Sequence, residues 1–188
     1  MVKVTIGVPI CKTIVEDLER CVKSILSQSF KDIELILVDD SETNTLPINT
    51  KKYIKRLCKE NSNVKYINHK SNLGLVEARR NIALNANGQY LLYVDSDDML
   101  YDDDVIQKMY NAAIENDADI VQGRSELFGS INNLKKERID SLNKTFTSNY
   151  IGSYNGDITE LLFEKKGFSW FIWGKLLKVS ILLDVFLD

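Results

Sequence analysis

Apolar residues between positions 2 and 122 fall into two alternating patterns, short continuous runs and helically spaced sets. A continuous run such as Ile33–Val38 is typical of a parallel strand that is buried on both faces. Apolar residues three and four positions apart, as in Ile14–Ser27, indicate a helix with one buried face. The sequence therefore predicts five strands, which lie at Val2–Val8, Ile33–Val38, Val64–Ile67, Tyr90–Val94 and Asp119–Gln122.

Helices are predicted between these strands, at Ile14–Ser27, Thr50–Asn61, Leu75–Asn87 and Asp102–Asn116. Such alternation is typical of an α/β domain with a mostly parallel central sheet, flanking helices and right-handed crossovers. Ligands of such sheets bind beyond the carboxyl ends of the strands. Past residue 122 the pattern is less regular. We therefore predict one domain over residues 1–188, with a regular half, 1–122, and a smaller half, 123–188.

The composition and charge of the chain narrow the classes of function. Of its 188 residues, 44% are hydrophobic and 27% are charged, as in a globular rather than a disordered protein. The net charge of −3 disfavours nucleic-acid binding, which needs a basic excess. The single histidine, His69, excludes a multi-histidine zinc site. We interpret His69 as a surface or loop residue rather than a catalytic one.

Cysteines and apolar segments bear on the compartment. Cys11, Cys21 and Cys58 form no C-x-x-C motif and are odd in number, which favours a reducing, cytoplasmic setting. The N-terminal residues lead straight into a predicted strand, so we expect no signal peptide. The most apolar region, Phe168–Leu187, is interrupted by three charged residues. It is interpreted as buried core rather than as a membrane span.

Two acidic clusters directly follow predicted strands, Asp39-Asp40 and the run from Asp95 to Asp98. Close carboxylates repel one another unless a cation offsets their charge. Two carboxylates in a D-x-D spacing can bind Mg²⁺ or Mn²⁺ together with phosphate oxygens. Three further aspartates, 102–104, are predicted to cap the helix that follows them.

No glycine-rich phosphate loop is present, because neither G-x-G-x-x-G nor G-x-x-x-x-G-K occurs. This disfavours a dinucleotide dehydrogenase and a P-loop NTPase. The charge of a bound diphosphate would have to be met by a metal and a basic side chain, for which Arg79 and Arg80 are candidates.

Three ordered blocks resemble the family 2 glycosyltransferases of the GT-A fold. The first is VTIGVPICKTIVEDLERCVKSILSQSFKDIELILVDDSE, with a proline after the opening strand and an "E-x-I-x-V-D-D" ending. The second is NLGLVEARRNIALNANGQYLLYVDSDD, with an "N-x-G" turn, an arginine-bearing helix and "D-S-D-D". The third is WFIWGKLLK. Together they reach from about residue 4 to about residue 178, and their order is more specific than any single motif.

The resemblance implies a role for several residues on the donor side. Pro9 and Cys11 would lie beside the nucleotide base, and Asp39 would accept a hydrogen bond from that base. Arg79, with Arg80 as the alternative, would approach the base or the phosphates. Asp95 and Ser96 would also contact the nucleotide sugar. Asp97, helped by Asp95, would ligate Mn²⁺ or Mg²⁺. On the acceptor side, Trp170 and Trp173 could stack on a sugar ring, with core packing as the alternative.

The resemblance further implies a metal-dependent, inverting transfer of sugar from a nucleoside-diphosphate sugar, commonly a UDP-sugar, to an acceptor hydroxyl. The acceptor would be a glycan or a lipid-linked molecule in bacterial polysaccharide or glycoconjugate synthesis. The enzyme would be cytoplasmic, with a peripheral association at the inner face of the membrane. The halves 1–122 and 123–188 would then serve the nucleotide sugar and the acceptor.

Departures from the family pattern qualify this expectation. Cys11 and Lys12 stand where the family has an aromatic residue and an asparagine. Only Asp184 and Asp188 follow the third block, and neither lies in an acidic pair. We therefore leave the catalytic base unassigned and expect it beyond Asp188, in a longer transferase. The alternatives are a nucleotide-sugar-binding module without turnover and a receiver-type signalling domain.

Overall fold

The continuous apolar runs form the central strands because both faces of the sheet are covered. The computed structural model describes residues 1–126, 137–138, 141, 152–156, 159 and 171–187. Every residue of β1 and β2 is buried. The six strands are β1 Val4–Ile10, β2 Ile33–Asp39, β3 Val64–Asn68, β4 Tyr90–Tyr93, β5 Ile120–Gln122 and β6 Lys175–Lys178.

Five helices with described bounds cover the two faces of the sheet. They are α1 Val15–Leu26, α2 Ile48–Glu60, α3 Leu75–Asn85, α4 Val105–Glu115 and α5 Val179–Leu187. One core contains the buried faces of α1, α2 and α4, and the other contains those of α3 and α5. The predicted elements up to residue 122 are thus confirmed, with ends that shift by up to three residues. In the described ranges, no helix combines the length and the apolar character that crossing a membrane requires.

The sheet is mostly parallel, as predicted, but one strand near its far edge runs antiparallel to its neighbours. Its order is β3-β2-β1-β4-β6-β5. The first four strands in that order run parallel, whereas β6 is antiparallel to both of its neighbours. Leu176 pairs with Leu92 on one side and with Val121 on the other. The less regular end of the sequence therefore supplies an interior strand of the sheet.

A buried carboxylate secures the amino end of the sheet. Glu34 Oε1 accepts hydrogen bonds from Thr5 Oγ1 at 2.7 Å and from the Asn87 amide at 2.6 Å. Its Oε2 accepts from Lys65 Nζ at 2.8 Å and from Asn87 Nδ2 at 2.9 Å. Burial raises the pKa of Glu34, but the hydrogen bonds from Lys65, Asn87 and Thr5 outweigh burial and hold that pKa below its usual range.

We expect Glu34→Gln to lower the free energy of unfolding at pH 7 by about 1–3 kcal/mol, because an amide cannot accept all four hydrogen bonds. The lowered pKa adds stability above the unfolded-state value of about 4.3, and this is lost as the pH falls through the folded-state value. The variant should therefore lose less stability than the wild type on acidification. Urea denaturation at a series of pH values measures both effects. The exposed Glu60→Gln is the control, and equal acid sensitivity of all three proteins would contradict the prediction.

Close packing joins β1 to α3 at Gly7. A Cβ atom at this position would lie 2.3 Å from Ile82 Cγ2, well inside van der Waals contact. At Gly123, in contrast, the nearest atom to an added Cβ would be 3.6 Å away. The space between this strand and this helix therefore admits only glycine without rearrangement.

Gly7→Ala is expected to cost about 1–3 kcal/mol of stability, as overpacking of a core does. The matched change Gly123→Ala should stay within about 0.5 kcal/mol. A double-mutant cycle with Ile82→Ala checks the cause, because the cost of Gly7→Ala should shrink when the clashing side chain is absent. An equal cost in both backgrounds would assign the effect to another contact.

Candidate active site at the carboxyl edge of the sheet

A cleft of about 540 Å³ opens at the carboxyl edge of the parallel strands. One wall is the end of β1 with the loop that follows it, residues 9–14. A second is the entry to α3, with Asn72, Gly74 and Leu75, and a third is the acidic turn after β4, residues 95–97. These segments meet because neighbouring parallel strands end at the same edge.

Five of the predicted site residues line this cleft: Pro9, Cys11, Asp95, Ser96 and Asp97. Thr13 also lines the cleft, although it was not singled out from the sequence. Thr13 Oγ1 and Ser96 Oγ share a hydrogen bond of 2.7 Å across the cleft, and the Thr13 carbonyl accepts from Thr50 Oγ1 at 2.9 Å. The loop after β1 and the acidic turn are thus held together directly.

Asp39, expected to face a nucleotide base, does not line the cleft. Its carboxylate is buried and accepts from the Ser41 amide at 3.0 Å, Tyr66 Oη at 2.8 Å and Asn68 Nδ2 at 3.0 Å. The neighbouring Asp40 lines the cleft instead. Successive side chains of an extended chain point to opposite sides, so only one of the two aspartates can face it. The role expected for Asp39 stays a prediction, and Asp40 is a second candidate for it.

The carboxylate of Asp40 holds the entry to α3 in place. Its Oδ1 accepts from the Leu73 amide and its Oδ2 from the Gly74 amide, each at 2.8 Å. His69 Nδ1 lies 2.8 Å from Oδ1, and both side chains are less than a tenth exposed. His69 thus lies in the loop after β3, as one form of its interpretation had it, but not at the surface, because its ring is buried against this carboxylate.

The two adjacent arginines of α3 have different partners. Arg79 Nη2 donates to Asp95 Oδ1 at 3.0 Å and so lies beside the acidic turn. Arg80 donates to Glu77 Oε1 and to the carbonyl of Phe186 in α5. Arg79 does not itself line the cleft. Of the two rivals, Arg79 is thus the one next to the site, where it orients Asp95.

The acidic turn concentrates negative charge around Asp98. Burial, with the nearby carboxylates of Asp97 and Asp95, raises the pKa of Asp98 to about 6. Arg20 Nη2 reaches the turn from α1 and donates to the carbonyl of Asp97 at 3.0 Å. The thiol of Cys21 donates to the carbonyl of Asp95 at 3.6 Å. Helix α1 therefore fixes the backbone of the turn while its carboxylates still repel one another.

The last turn of α1 and the two residues after it also hold the segment between the acidic turn and α4. Ser24 Oγ accepts from the Leu100 amide at 3.0 Å, and Ser27 Oγ donates to Asp103 Oδ1 at 2.9 Å. The buried Gln28 accepts from the Ile106 amide at 3.1 Å in the first turn of α4. The prediction that aspartates cap α4 is thus corrected, because Asp104 at the N-cap makes no capping side-chain hydrogen bond.

Residues before β6 reach the same edge of the sheet as the acidic turn, because β6 runs antiparallel to β4. Trp173 stacks on Phe171 with ring centroids 4.8 Å apart. Lys175 donates to the carbonyl of Phe171 and is buried, and burial lowers its pKa to about 8. Trp170, the other predicted acceptor-side residue, lies outside the described residues.

The chemistry of the acidic turn suits a hard divalent cation. Asp97 lines the cleft, and Arg79 donates to Oδ1 of Asp95. Burial, followed by the carboxylates of Asp97 and Asp95, raises the pKa of Asp98, and a cation would relieve the repulsion among these carboxylates. Within the described residues, no group of three or more His, Cys, Asp or Glu side chains could hold a metal. A cation bound at this turn would take further ligands from other molecules.

Comparison with known families and sequences gives a consistent result. The family model for glycosyl transferase family 2 matches residues 5–171. The chain is 31% identical over 189 residues to the glycosyltransferase GlyA of Streptococcus pneumoniae serotype 4. This alignment covers 95% of this chain and 25% of GlyA. The chain is also 34% identical over 113 residues to the poly(ribitol-phosphate) β-N-acetylglucosaminyltransferase TarP of Staphylococcus aureus. That alignment covers 58% of this chain and 32% of TarP. The chain thus spans a quarter to a third of these relatives.

Solved structures show the same fold. Residues 1–349 of S. aureus TarS in complex with UDP-GlcNAc align over 97% of this chain and 47% of that chain, with a TM-score of 0.68 and 18% identity. The mannosyltransferase PcManGT of Pyrobaculum calidifontis, in complex with GDP-Man and Mn²⁺, aligns over 70% of this chain and 37% of that chain, with a TM-score of 0.58 and 16% identity. The GT-A fold expected from the sequence is confirmed.

The cleft can be probed through its cysteine. Cys11 is exposed and lines the cleft. Burial and the carboxylates of Asp98, Asp97 and Asp95 raise the pKa of Cys21 to about 12, and burial also raises that of Cys58. A thiol reagent at neutral pH should therefore modify Cys11 at least about tenfold faster than the other two, because the thiolate is the reactive form.

Mass spectrometry after brief labelling of the folded protein measures this ratio. Cys11→Ser should abolish the fast phase and leave the slow phases unchanged. Labelling of two or three thiols at comparable rates would contradict the burial of Cys21 and the partial burial of Cys58.

Proposed function

The chain belongs to glycosyl transferase family 2, and on that premise we propose that it transfers a sugar from a nucleoside-diphosphate sugar to an acceptor hydroxyl. In this proposal residues 1–122 bind the donor and residues 123–188 contribute to the acceptor side. The pairing of β6 between β4 and β5 supports the proposal that the two halves form one domain. Family membership removes the alternative of a receiver-type signalling domain.

The observation that carries the proposal is the pairing of two unlike walls in one cleft. Asp40, Asn72 and Gly74 form a wall with hydrogen-bonding groups, in which the charge of the Asp40 carboxylate is shielded by the donors around it. Asp95 and Asp97 form a strongly acidic wall. A nucleoside suits the first wall, and a diphosphate with its counter-cation suits the second.

On the nucleoside side, we assign the base contact to Asp40 together with the Pro9–Cys11 segment, all of which line the cleft. Asp39 is left out because it does not line the cleft, whereas Asp40 does, although both oxygens of its carboxylate already accept hydrogen bonds. Uracil is the favoured base, since TarS binds UDP-GlcNAc and shares the fold of this chain. Cys11 offers a smaller surface for stacking than an aromatic residue would, so we expect modest affinity for the base.

On the diphosphate side, Asp97 and Asp95 would hold Mn²⁺ or Mg²⁺, and Ser96 lies between them to meet the ribose or phosphate oxygens. A bound divalent cation would supply Lewis-acid stabilisation of the leaving diphosphate. Arg79 contributes by fixing the Asp95 carboxylate through its hydrogen bond of 3.0 Å. PcManGT, whose structure contains Mn²⁺ with GDP-Man, supports this choice of ions.

On the acceptor side, Trp173 lies at the edge next to the acidic turn and could stack on a sugar ring. The transfer requires a base that deprotonates the acceptor hydroxyl, and attack opposite the leaving group would invert the anomeric centre. Among the described cleft carboxylates, Asp17 pairs with Arg20, Asp40 with His69 and Asp95 with Arg79. We therefore assign none of them as this base.

The names of the relatives suggest the biological setting. TarP is a poly(ribitol-phosphate) β-N-acetylglucosaminyltransferase and a Bacillus spizizenii relative is a poly(ribitol-phosphate) β-glucosyltransferase. We accordingly propose a glycan or lipid-linked acceptor in bacterial polysaccharide or glycoconjugate synthesis. A cytoplasmic enzyme that works at the inner face of the membrane fits this proposal.

The donor half can be tested by calorimetric titration of the protein with UDP in the presence and absence of Mn²⁺. The wild type should bind UDP only weakly without the ion and more tightly with it. Asp97→Asn should weaken Mn²⁺-dependent binding at least about tenfold, equivalent to about 1.4 kcal/mol, because a metal carboxylate is lost. UDP with Mn²⁺ should also slow the labelling of Cys11.

The matched control is Asp103→Asn, in the neighbouring group of aspartates 102–104. The Asp103 carboxylate accepts a hydrogen bond from Ser27 and does not line the cleft. This variant should bind UDP like the wild type. Unchanged binding in Asp97→Asn, or binding by the wild type that ignores Mn²⁺, would refute the metal assignment. Donor binding without transfer to any acceptor would instead favour a nucleotide-sugar-binding module.

A further inference from the structure

The buried contact between His69 and Asp40 has no part in the roles assigned so far. His69 directly follows β3, and its amide donates to the carbonyl of Asp39 at 2.9 Å, which continues the pairing of β3 with β2. Its side chain is 7% exposed and does not line the cleft. His69 therefore cannot contact a ligand in the cleft directly and can act only through its neighbour.

The Asp40 carboxylate needs every donor that surrounds it. Its side chain is 5% exposed, and a buried charge is costly unless it is hydrogen-bonded. Two of its donors are the consecutive amides of Leu73 and Gly74, and the third is His69 Nδ1. Within the described residues, His69 is thus the side chain that completes the set.

The same carboxylate defines the wall of the cleft. Asn72 Nδ2 donates to the carbonyl of Asp40 at 2.9 Å, so three consecutive residues, 72–74, are bonded to this one aspartate. Gly74 has φ +92°, a backbone conformation that other residues rarely adopt. The segment is held in this conformation by the carboxylate, and any rotation of the carboxylate would move the wall.

We propose that His69 is a positioning residue, which orients the Asp40 carboxylate and thereby fixes the Asn72–Gly74 wall against which the nucleoside of the donor binds. The ring donates its Nδ1 proton to Asp40 Oδ1, and this contact selects the Nδ1–H form of the imidazole. His69 Nε2 is buried and has no hydrogen-bond partner among the described residues. Within the described residues, the ring of His69 therefore makes its hydrogen bond with Asp40 alone.

This inference rests on the proposed donor site, so its test uses one readout that involves UDP and two that do not. His69→Asn and His69→Gln form a matched pair of variants. The amide nitrogen of asparagine can take the position of Nδ1 and keep the bond to Asp40. The longer glutamine carries its nitrogen near the position of Nε2 and loses that bond.

We expect His69→Gln to raise the Kd of UDP with Mn²⁺ by about tenfold, as loss of a hydrogen bond to a charged group would. His69→Asn should stay within about threefold of the wild type, because it retains that hydrogen bond. In the free protein, hydrogen exchange at the Leu73 and Gly74 amides should quicken in His69→Gln and remain slow in His69→Asn. Wild-type UDP affinity in a folded His69→Gln, or equal effects of the two variants, would overturn the proposal.

The wild type offers a readout that needs no variant. Because His69 is the single histidine of the chain, the nitrogen resonances of its ring can be observed by NMR without ambiguity. The proposal requires a proton on Nδ1, and a ring protonated only on Nε2 would overturn it even if His69→Gln failed to fold. Absence of UDP binding by the wild type would refute the proposed donor site instead, and the exchange and NMR readouts would still decide the role of His69.

Discussion

A carboxylate buried at the end of a parallel strand must be surrounded by hydrogen-bond donors, and much of this site follows from how Asp40 meets that requirement. Its backbone donors lie in the segment that enters α3, so the start of this helix is set by the carboxylate. The direction of α3 then places Arg79 beside Asp95, on the opposite wall. One buried charge thereby relates the two walls of the cleft, although they come from different strands.

The acidic turn depends on a second support, the polar face of α1. Burial and the neighbouring carboxylates both disfavour the charged form of Asp98 and raise its pKa. Donors from Arg20 and Cys21 bind backbone carbonyls of the turn rather than its carboxylates. Helix α1 therefore stabilises the turn through backbone atoms, and the proposed metal site would use its carboxylates.

Sequence patterns predicted the strands and helices up to residue 122 because each has its own apolar periodicity. They did not predict β6, since KLLK acquires its pairing from β4 and β5, which lie far away in sequence. They also could not choose between Asp39 and Asp40, because the choice depends on which side of the strand end faces the cleft. His69 and Gln28 were missed for a related reason. A polar residue in a sequence looks exposed, and only tertiary contacts show that it is buried.

The position of β6 has a consequence for how the molecule acquires its structure. Within the described residues, β4 and β5 gain the strand between them only with residues 175–178, whereas β1, β2 and β3 pair through earlier parts of the chain. Contacts between segments so distant in sequence form slowly, because a long loop must close first. We therefore expect the far edge of the sheet, next to the acidic turn, to be completed after the pairing of β1, β2 and β3.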